Sequence, residues 1–162
     1  MQTHIKTSKT IWRIIKRCFS ETAFSGEGAR LFGGRWNQKG ESVVYTSENR
    51  SLALLEMLVQ DQPLHADYVL ISAKLPESFS ILTLPIKELP STWRDMNARE
   101  TLQKIGSYWI KEGKTCVLEI PSVVVPAESN FLLNPAHPDF SKIKISTPEN
   151  LQIDPRLIKK IK

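Results

Sequence analysis

A single acid inside an apolar run is where chemistry is most legible. Glu56 interrupts Leu52-Ala53-Leu54-Leu55-Glu56-Met57-Leu58-Val59. At helical spacing Leu52, Leu55, Glu56 and Val59 share one face. A helix apolar nearly all round is expected to be buried, and an ionised carboxylate there is costly unless it is paired or hydrogen-bonded. Two readings are open: a buried ion pair that fixes the helix, or a carboxylate at the floor of a cleft. Gly33-Gly34-Arg35-Trp36-Asn37 is the second feature. Its glycines allow close backbone approach to a ligand, and arginine offers a planar donor fork for phosphate or carboxylate. An ordinary turn with a surface arginine and a packed tryptophan has the same pattern.

Three further side chains are candidates. Tyr45 follows Val43-Val44 and could stack on a flat ligand, or be a core aromatic with its hydroxyl at the surface. Ser122 lacks the glycines of a nucleophile elbow, so a hydrogen-bonding serine is the expectation. Asn130 and Asn134 suit turn capping as well as ligand binding. His4 falls in a frayed end, His65 in a polar loop and His137 in a turn, and no His/Cys spacing suits a metal. Cys18 and Cys116 make no disulfide framework, and Cys116 reads as a buried thiol.

The elements that would carry these residues are short. Ile11–Ile15 reads as a first strand, rich in β-branched and aromatic residues. Residues 24–41, with Gly26, Gly28, Gly33, Gly34 and Gly40, read as loop. A strand around Val43-Val44-Tyr45 follows, then a helix capped by Ser51 and running to about Gln60. Strands are expected over 67–75, 115–120, 130–133 and 142–145. An amphipathic helix over 98–112 has Leu102, Ile105 and Trp109 at helical spacing and Gly113 as its stop. Asp154-Pro155 opens a short last helix. This pattern predicts a single α+β domain of short mixed and antiparallel strands with a few helices. It disfavours a doubly wound nucleotide fold, and the glycines match neither a P-loop nor a dinucleotide fingerprint.

Composition narrows the class. The 162 residues carry 41% hydrophobic and 24% charged side chains, ordinary for a globular domain with a real core. No apolar run approaches the ~20 residues of a membrane span. The N-terminus has no apolar stretch behind its basic residues, so a cytoplasmic protein is expected. Lys6, Lys9, Arg13, Lys16 and Arg17 make the N-terminal end basic, Arg156, Lys159, Lys160 and Lys162 the C-terminal end, and all 17 acids lie between. Such ends could touch nucleic acid or an acidic partner. No helix-turn-helix, aromatic-basic motif or metal-nuclease carboxylate cluster accompanies them, so direct nucleic-acid binding is not expected.

Taken in order, several blocks resemble the RES-domain family of bacterial toxins. They are Trp12-Arg13, Gly28-Ala29, Gly33-Gly34-Arg35-Trp36-Asn37 with Gly40, Val43-Val44-Tyr45-Thr46-Ser47 and Leu52-Ala53-Leu54-Leu55-Glu56. Gly106 with Trp109, Ile120-Pro121-Ser122-Val123-Val124-Val125-Pro126, Asn130-Phe131-Leu132-Leu133-Asn134-Pro135, His137-Pro138 and Asp154-Pro155-Arg156-Leu157 complete the series. The resemblance runs from about residue 12 to residue 157. It implies a fold similar to the ADP-ribosyltransferase toxins and NAD as a consumed substrate, not a recycled cofactor. It implies cleavage of the nicotinamide–ribose bond by hydrolysis or phosphorolysis, or ADP-ribosylation of a protein. It also implies an Xre-type helix-turn-helix antitoxin as partner; a homodimer is a further possibility. By motif position the family's site falls on Arg13, Arg35, Tyr45, Glu56 and Ser122, with Asn130 a further candidate. Gln60 departs from the family pattern, where many members have histidine.

Cleaving that bond develops oxocarbenium character on the ribose. On this reading Glu56 stabilises the charge, Arg13 and Arg35 neutralise the pyrophosphate, and Tyr45 stacks on nicotinamide or sugar. Ser122 and Asn130 orient ribose or amide by hydrogen bonds. A nucleic-acid-binding or RNA-acting protein and a purely antitoxin-binding protein are the competing classes.

Overall fold

The computed structural model describes residues 2–3, 8–60 and 67–158. His4, His65 and the tail lysines 159, 160 and 162 lie outside them. Nine strands form one sheet: β1 (Gln2–Thr3), β2 (Lys9–Lys16), β3 (Val44–Ser47), β4 (Tyr68–Leu75), β5 (Ile81–Thr83), β6 (Val117–Pro121), β7 (Ser129–Leu133), β8 (Lys144–Ile145) and β9 (Glu149–Asn150). Their order is β1-β5-β6-β7-β3-β2-β4-β8, with β9 also on β4. Among the described residues only β5 and β6 pair in parallel. The described residues also form four α-helices: α1 (Glu27–Phe32), α2 (Arg50–Gln60), α3 (Arg99–Glu112) and α4 (Pro155–Ile158). This is the expected α+β architecture.

Strand alternation builds two cores. Ile11, Val44, Val69, Ile71, Val117, Phe131 and Leu133 meet on one face of the sheet. Leu118, Ile120 and Leu132 point the other way, against Trp36, Trp93 and α3, which presents Leu102 and Trp109. The register pairs Val117–Leu133 on one face and Leu118–Leu132 on the other are fully buried, so the centre of the sheet is dry on both sides.

Three expectations are corrected. Residues 24–41 are not all loop, because Glu27–Phe32 form α1. Its only glycine is Gly28, and its Leu31 and Phe32 are exposed, so no buried stripe marks it in the sequence. The cap of α2 is Asn49 rather than Ser51: the Asn49 side-chain oxygen accepts from the Leu52 N–H at 2.7 Å. The buried face of α2 is Leu52, Ala53 and Met57, whereas Leu55 and Val59 are exposed. The helix therefore lies on the surface, against β2 and β3, with Glu56 at the edge of its inward face. α3 follows expectation and stops at Gly113.

Of the basic N-terminal residues, Lys6 lies outside the described residues, and the fold disperses three of the others. Arg17 pairs with Asp67, Lys9 sits over the Phe131 ring, and Arg13 turns inward. No helix among the described residues is long and apolar enough to cross a membrane.

Candidate active site

The cleft opens where the sheet forks. β2 and β3 are paired at Trp12 and Ser47 alone. Past that point β2 continues against β4 as far as Lys16 and Tyr68, while β3 continues against β7 as far as Val44 and Leu133. In the gap Arg13 Nη1 donates to the Tyr45 carbonyl at 2.7 Å, replacing the ladder bond that the parted strands cannot make. A cleft of about 640 Å³ lies there, lined among others by Arg13, Arg35, Tyr45, Glu56 and Asn130. Its size suits a small-molecule or cofactor site. A second lobe of about 460 Å³ adjoins it and shares Arg13, Tyr45, Glu56 and Asn130.

Glu56 is held at one oxygen. Its Oε1 accepts from Ser122 Oγ at 2.8 Å and from Asn130 Nδ2 at 2.5 Å. Ser122 is fully buried, and its Oγ accepts from the N–H groups of Val124 and Val125 at 3.1 and 3.0 Å. Glu56 Oε2 makes no hydrogen bond among the described residues. Among the described residues the carboxylate has no cationic partner; neutral donors compensate it from one side. Among the described residues Glu56 therefore makes no structural ion pair.

Arg13 is the converse case. Its Nε is buried and has no partner among the described residues. Burial pulls its guanidinium down to about 10, so it remains cationic at neutral pH. A half-buried cation that lines a cleft is matched to an anion.

The Arg35 loop is built by Tyr45 and Asn37. The Tyr45 hydroxyl donates to Asn37 Oδ1 at 2.8 Å and accepts from the Trp36 N–H at 3.0 Å. Fully buried Asn37 donates from Nδ2 to the carbonyls of Ala29, Gln38 and Glu41. A side chain at Gly34 would place Cβ 2.4 Å from the Tyr45 hydroxyl, so only glycine passes there. Gly106 lets α3 lie on the loop, because a Cβ would sit 1.7 Å from the Trp36 carbonyl. Gln103 of α3 donates to the carbonyls of Gly34 and Asn37. Burial, only partly offset by the Trp36 N–H and the charges of Arg99 and Arg35, pushes the Tyr45 phenol above its ordinary value and keeps it protonated. Its hydroxyl is thus not at the surface but inside the loop it organises.

The fold brings Arg13, Arg35, Tyr45, Glu56 and Asn130 to one cleft, with Ser122 directly behind Glu56. Asn134 lies elsewhere, its Oδ1 accepting from the Ala136 N–H. His137 caps a short 3-10 turn through Asp139 N. Cys116 is buried, mainly by which its thiol is pushed up to about 12, and Cys18 is exposed. No cluster of three His, Cys, Asp or Glu suited to a metal occurs among the described residues. Sequence reasoning did not single out Ser47, Asn37 or Gln103. Ser47 and Asn37 stood inside recognised blocks, but only contacts across 83 and eight positions show what they hold.

Comparison with known proteins decides the family. A model of the RES domain matches residues 10–154. The chain belongs to the RES-domain family. A relative from Photorhabdus laumondii, "Toxin Res", is 40% identical over 153 residues, covering 92% of this chain and 97% of that protein. A "Toxin Res" from Yersinia enterocolitica is 36% identical over 150 residues, 91% of this chain and 98% of that one. A "Prs ADP-ribosylating toxin" from Sphingobium sp. is 36% identical over 157 residues, 93% and 98% of the two chains. Among solved structures, a chain of the M. tuberculosis MbcT–MbcA toxin–antitoxin complex superposes with a TM-score of 0.77 at 18% identity. That match spans 98% of this RES-domain chain and 91% of the other, and it establishes a shared fold.

Proposed function

We propose that this RES-domain chain is the toxin of a bacterial toxin–antitoxin system and that it breaks the nicotinamide–ribose bond of NAD. The observation that carries the reading is Glu56: a carboxylate in a cleft, held by two donors at Oε1 and open at Oε2. The names of the relatives from Photorhabdus and Yersinia support the toxin assignment.

The chemistry follows from the donor set. As the C1′–N1 bond breaks, its electron pair leaves with nicotinamide, and positive charge develops on the ribose ring. Glu56 Oε2 faces that charge. Because Ser122 and Asn130 already fix the other oxygen, little reorganisation accompanies the reaction. The Arg13 and Arg35 guanidinium groups, which line the cleft, take the pyrophosphate. The Tyr45 ring lines the cleft as a stacking surface while its hydroxyl holds the Arg35 loop. Water, inorganic phosphate or a protein side chain then attacks C1′. NAD is consumed, and no cofactor or metal takes part.

A second reading is transfer of ADP-ribose to a host protein, favoured by the name of the Sphingobium relative. Both readings share the first bond broken and differ in the acceptor. The partner is an antitoxin, supported by the toxin–antitoxin complex in which the structural neighbour was solved; its Xre type rests on the family resemblance alone. The exposed apolar side chains Phe19, Phe32 and Met96 at the cleft mouth suit a covering partner. Nicotinamide release from NAD by the purified chain, lost in Glu56→Gln, tests the reading.

A further inference from the structure

We infer that Ser47 is a positioning residue for Glu56, acting through Asn130. The inference rests on the proposed role of Glu56. Ser47 is buried, and it occupies the one register position where β2 and β3 still pair. On its other side it is the register partner of Asn130 in β7. The fork of the sheet and the side chain that orients Glu56 therefore meet at one residue.

The hydrogen bonds run in one sense. A carboxylate only accepts, so the atom that Asn130 turns to Glu56 must be its amide nitrogen. Its Oδ1 then faces Ser47, and the Ser47 hydroxyl must donate to it, at 2.8 Å. Ser47 Oγ–H to Asn130 Oδ1, and Asn130 Nδ2–H to Glu56 Oε1 at 2.5 Å, form a single polarised chain. Reversing the amide would set Oδ1 against the carboxylate and the amide N–H against a hydroxyl that has lost its acceptor. Without the Ser47 hydroxyl nothing among the described residues holds Oδ1, and the amide is free to turn away from Glu56.

Ser47 makes no hydrogen bond to Arg13 or Arg35 among the described residues, and its main chain pairs with Trp12 and Asn130 whatever its side chain. Loss of the hydroxyl should thus leave the fold and substrate affinity in place and loosen one catalytic orientation.

The test uses the full chain, Ser47→Ala, Asn130→Ala and the double variant. In ¹⁵N-labelled protein the Asn130 side-chain amide, assigned by its absence in Asn130→Ala, should be as ordered as the backbone in the parent and mobile in Ser47→Ala. With NAD, Ser47→Ala should lower kcat roughly tenfold, the worth of one charge-coupled hydrogen bond, and move KM less than about twofold. Ser47→Ala should cost nothing further in the Asn130→Ala background. An equally ordered amide in Ser47→Ala, or losses that multiply in the double variant, would overturn the inference. The amide signal needs no substrate, so a parent chain that leaves NAD intact condemns the proposed function and not this relay.

Discussion

Arg13 donates to the carbonyl of Tyr45 at 2.7 Å across a gap between two strands that are paired one residue earlier. One guanidinium thus closes the fork of the sheet with Nη1 and leaves Nε buried and idle beside the cleft. Its folded-state value near 10 lies below the ordinary 12.5. The charged form is therefore penalised at every pH below about 10, and that penalty is relieved only as pH rises from there toward 12.5. An anion in the cleft relieves it at neutral pH.

Saturating ADP-ribose should accordingly raise the melting temperature of the parent chain by roughly 5–10 °C, the effect of a ligand at about 100 times its Kd on a domain of this size. Arg13→Met should lose most of that shift while its ligand-free melting temperature stays near the parent's. Scanning calorimetry reads both quantities. An unchanged ligand shift in Arg13→Met would remove Arg13 from the anion site.

Ser122→Ala removes more than a donor to Glu56. It also leaves the N–H groups of the half-buried Val124 and Val125 without their acceptor, beside a fully buried side chain. Urea denaturation should show a loss of about 1–3 kcal/mol, together with slower turnover. A solvent-facing nucleophilic serine would give loss of activity at parental stability.

Gly106→Ala offers a test by sign. Helix propensity alone makes alanine better than glycine mid-helix by about 1 kcal/mol. Here a Cβ would sit 1.7 Å from the Trp36 carbonyl, so α3 and the Arg35 loop must part. The expected outcome is destabilisation by roughly 1–3 kcal/mol or more, with a raised KM for NAD as Arg35 shifts. Stabilisation would show that the loop does not rest on α3.

Val59→Lys tests the placement of α2. Val59 is exposed and stands outside the lining of either lobe of the cleft. Stability should change by less than about 0.5 kcal/mol and NAD turnover should not change. A loss of several kcal/mol would restore the buried helix that the apolar run suggested.

How much was legible follows from which residues carry local signals. β2 announces itself through Ile11, Trp12, Ile14 and Ile15, and α3 through Leu102, Ile105 and Trp109 with Gly113 behind them. Glu56 stood out as one acid among leucines, although the face assigned to it was rotated. Its real neighbours are Leu52, Ala53 and Met57, while Leu55 and Val59 face outward. Periodicity locates such a helix but cannot choose between two overlapping apolar stripes. α1 has no stripe at all. β5 has three residues and owes its strand state to β6 and β1 beside it. The Ser47–Asn130–Glu56 series joins three elements, and nothing local in any of them forecasts it.

The most direct test of the account is nicotinamide release from NAD by the purified, folded chain, with and without inorganic phosphate, beside Glu56→Gln and Arg35→Ala. The account predicts release by the parent chain, a loss of roughly 10²–10³ in kcat for Glu56→Gln with its fold intact, and a weaker hold on NAD in Arg35→Ala. A requirement for phosphate would name phosphorolysis, and release without it hydrolysis. Turnover that survives Glu56→Gln undiminished would contradict the account, as would a folded parent chain that leaves NAD intact both alone and with labelled NAD in a lysate of acceptor proteins.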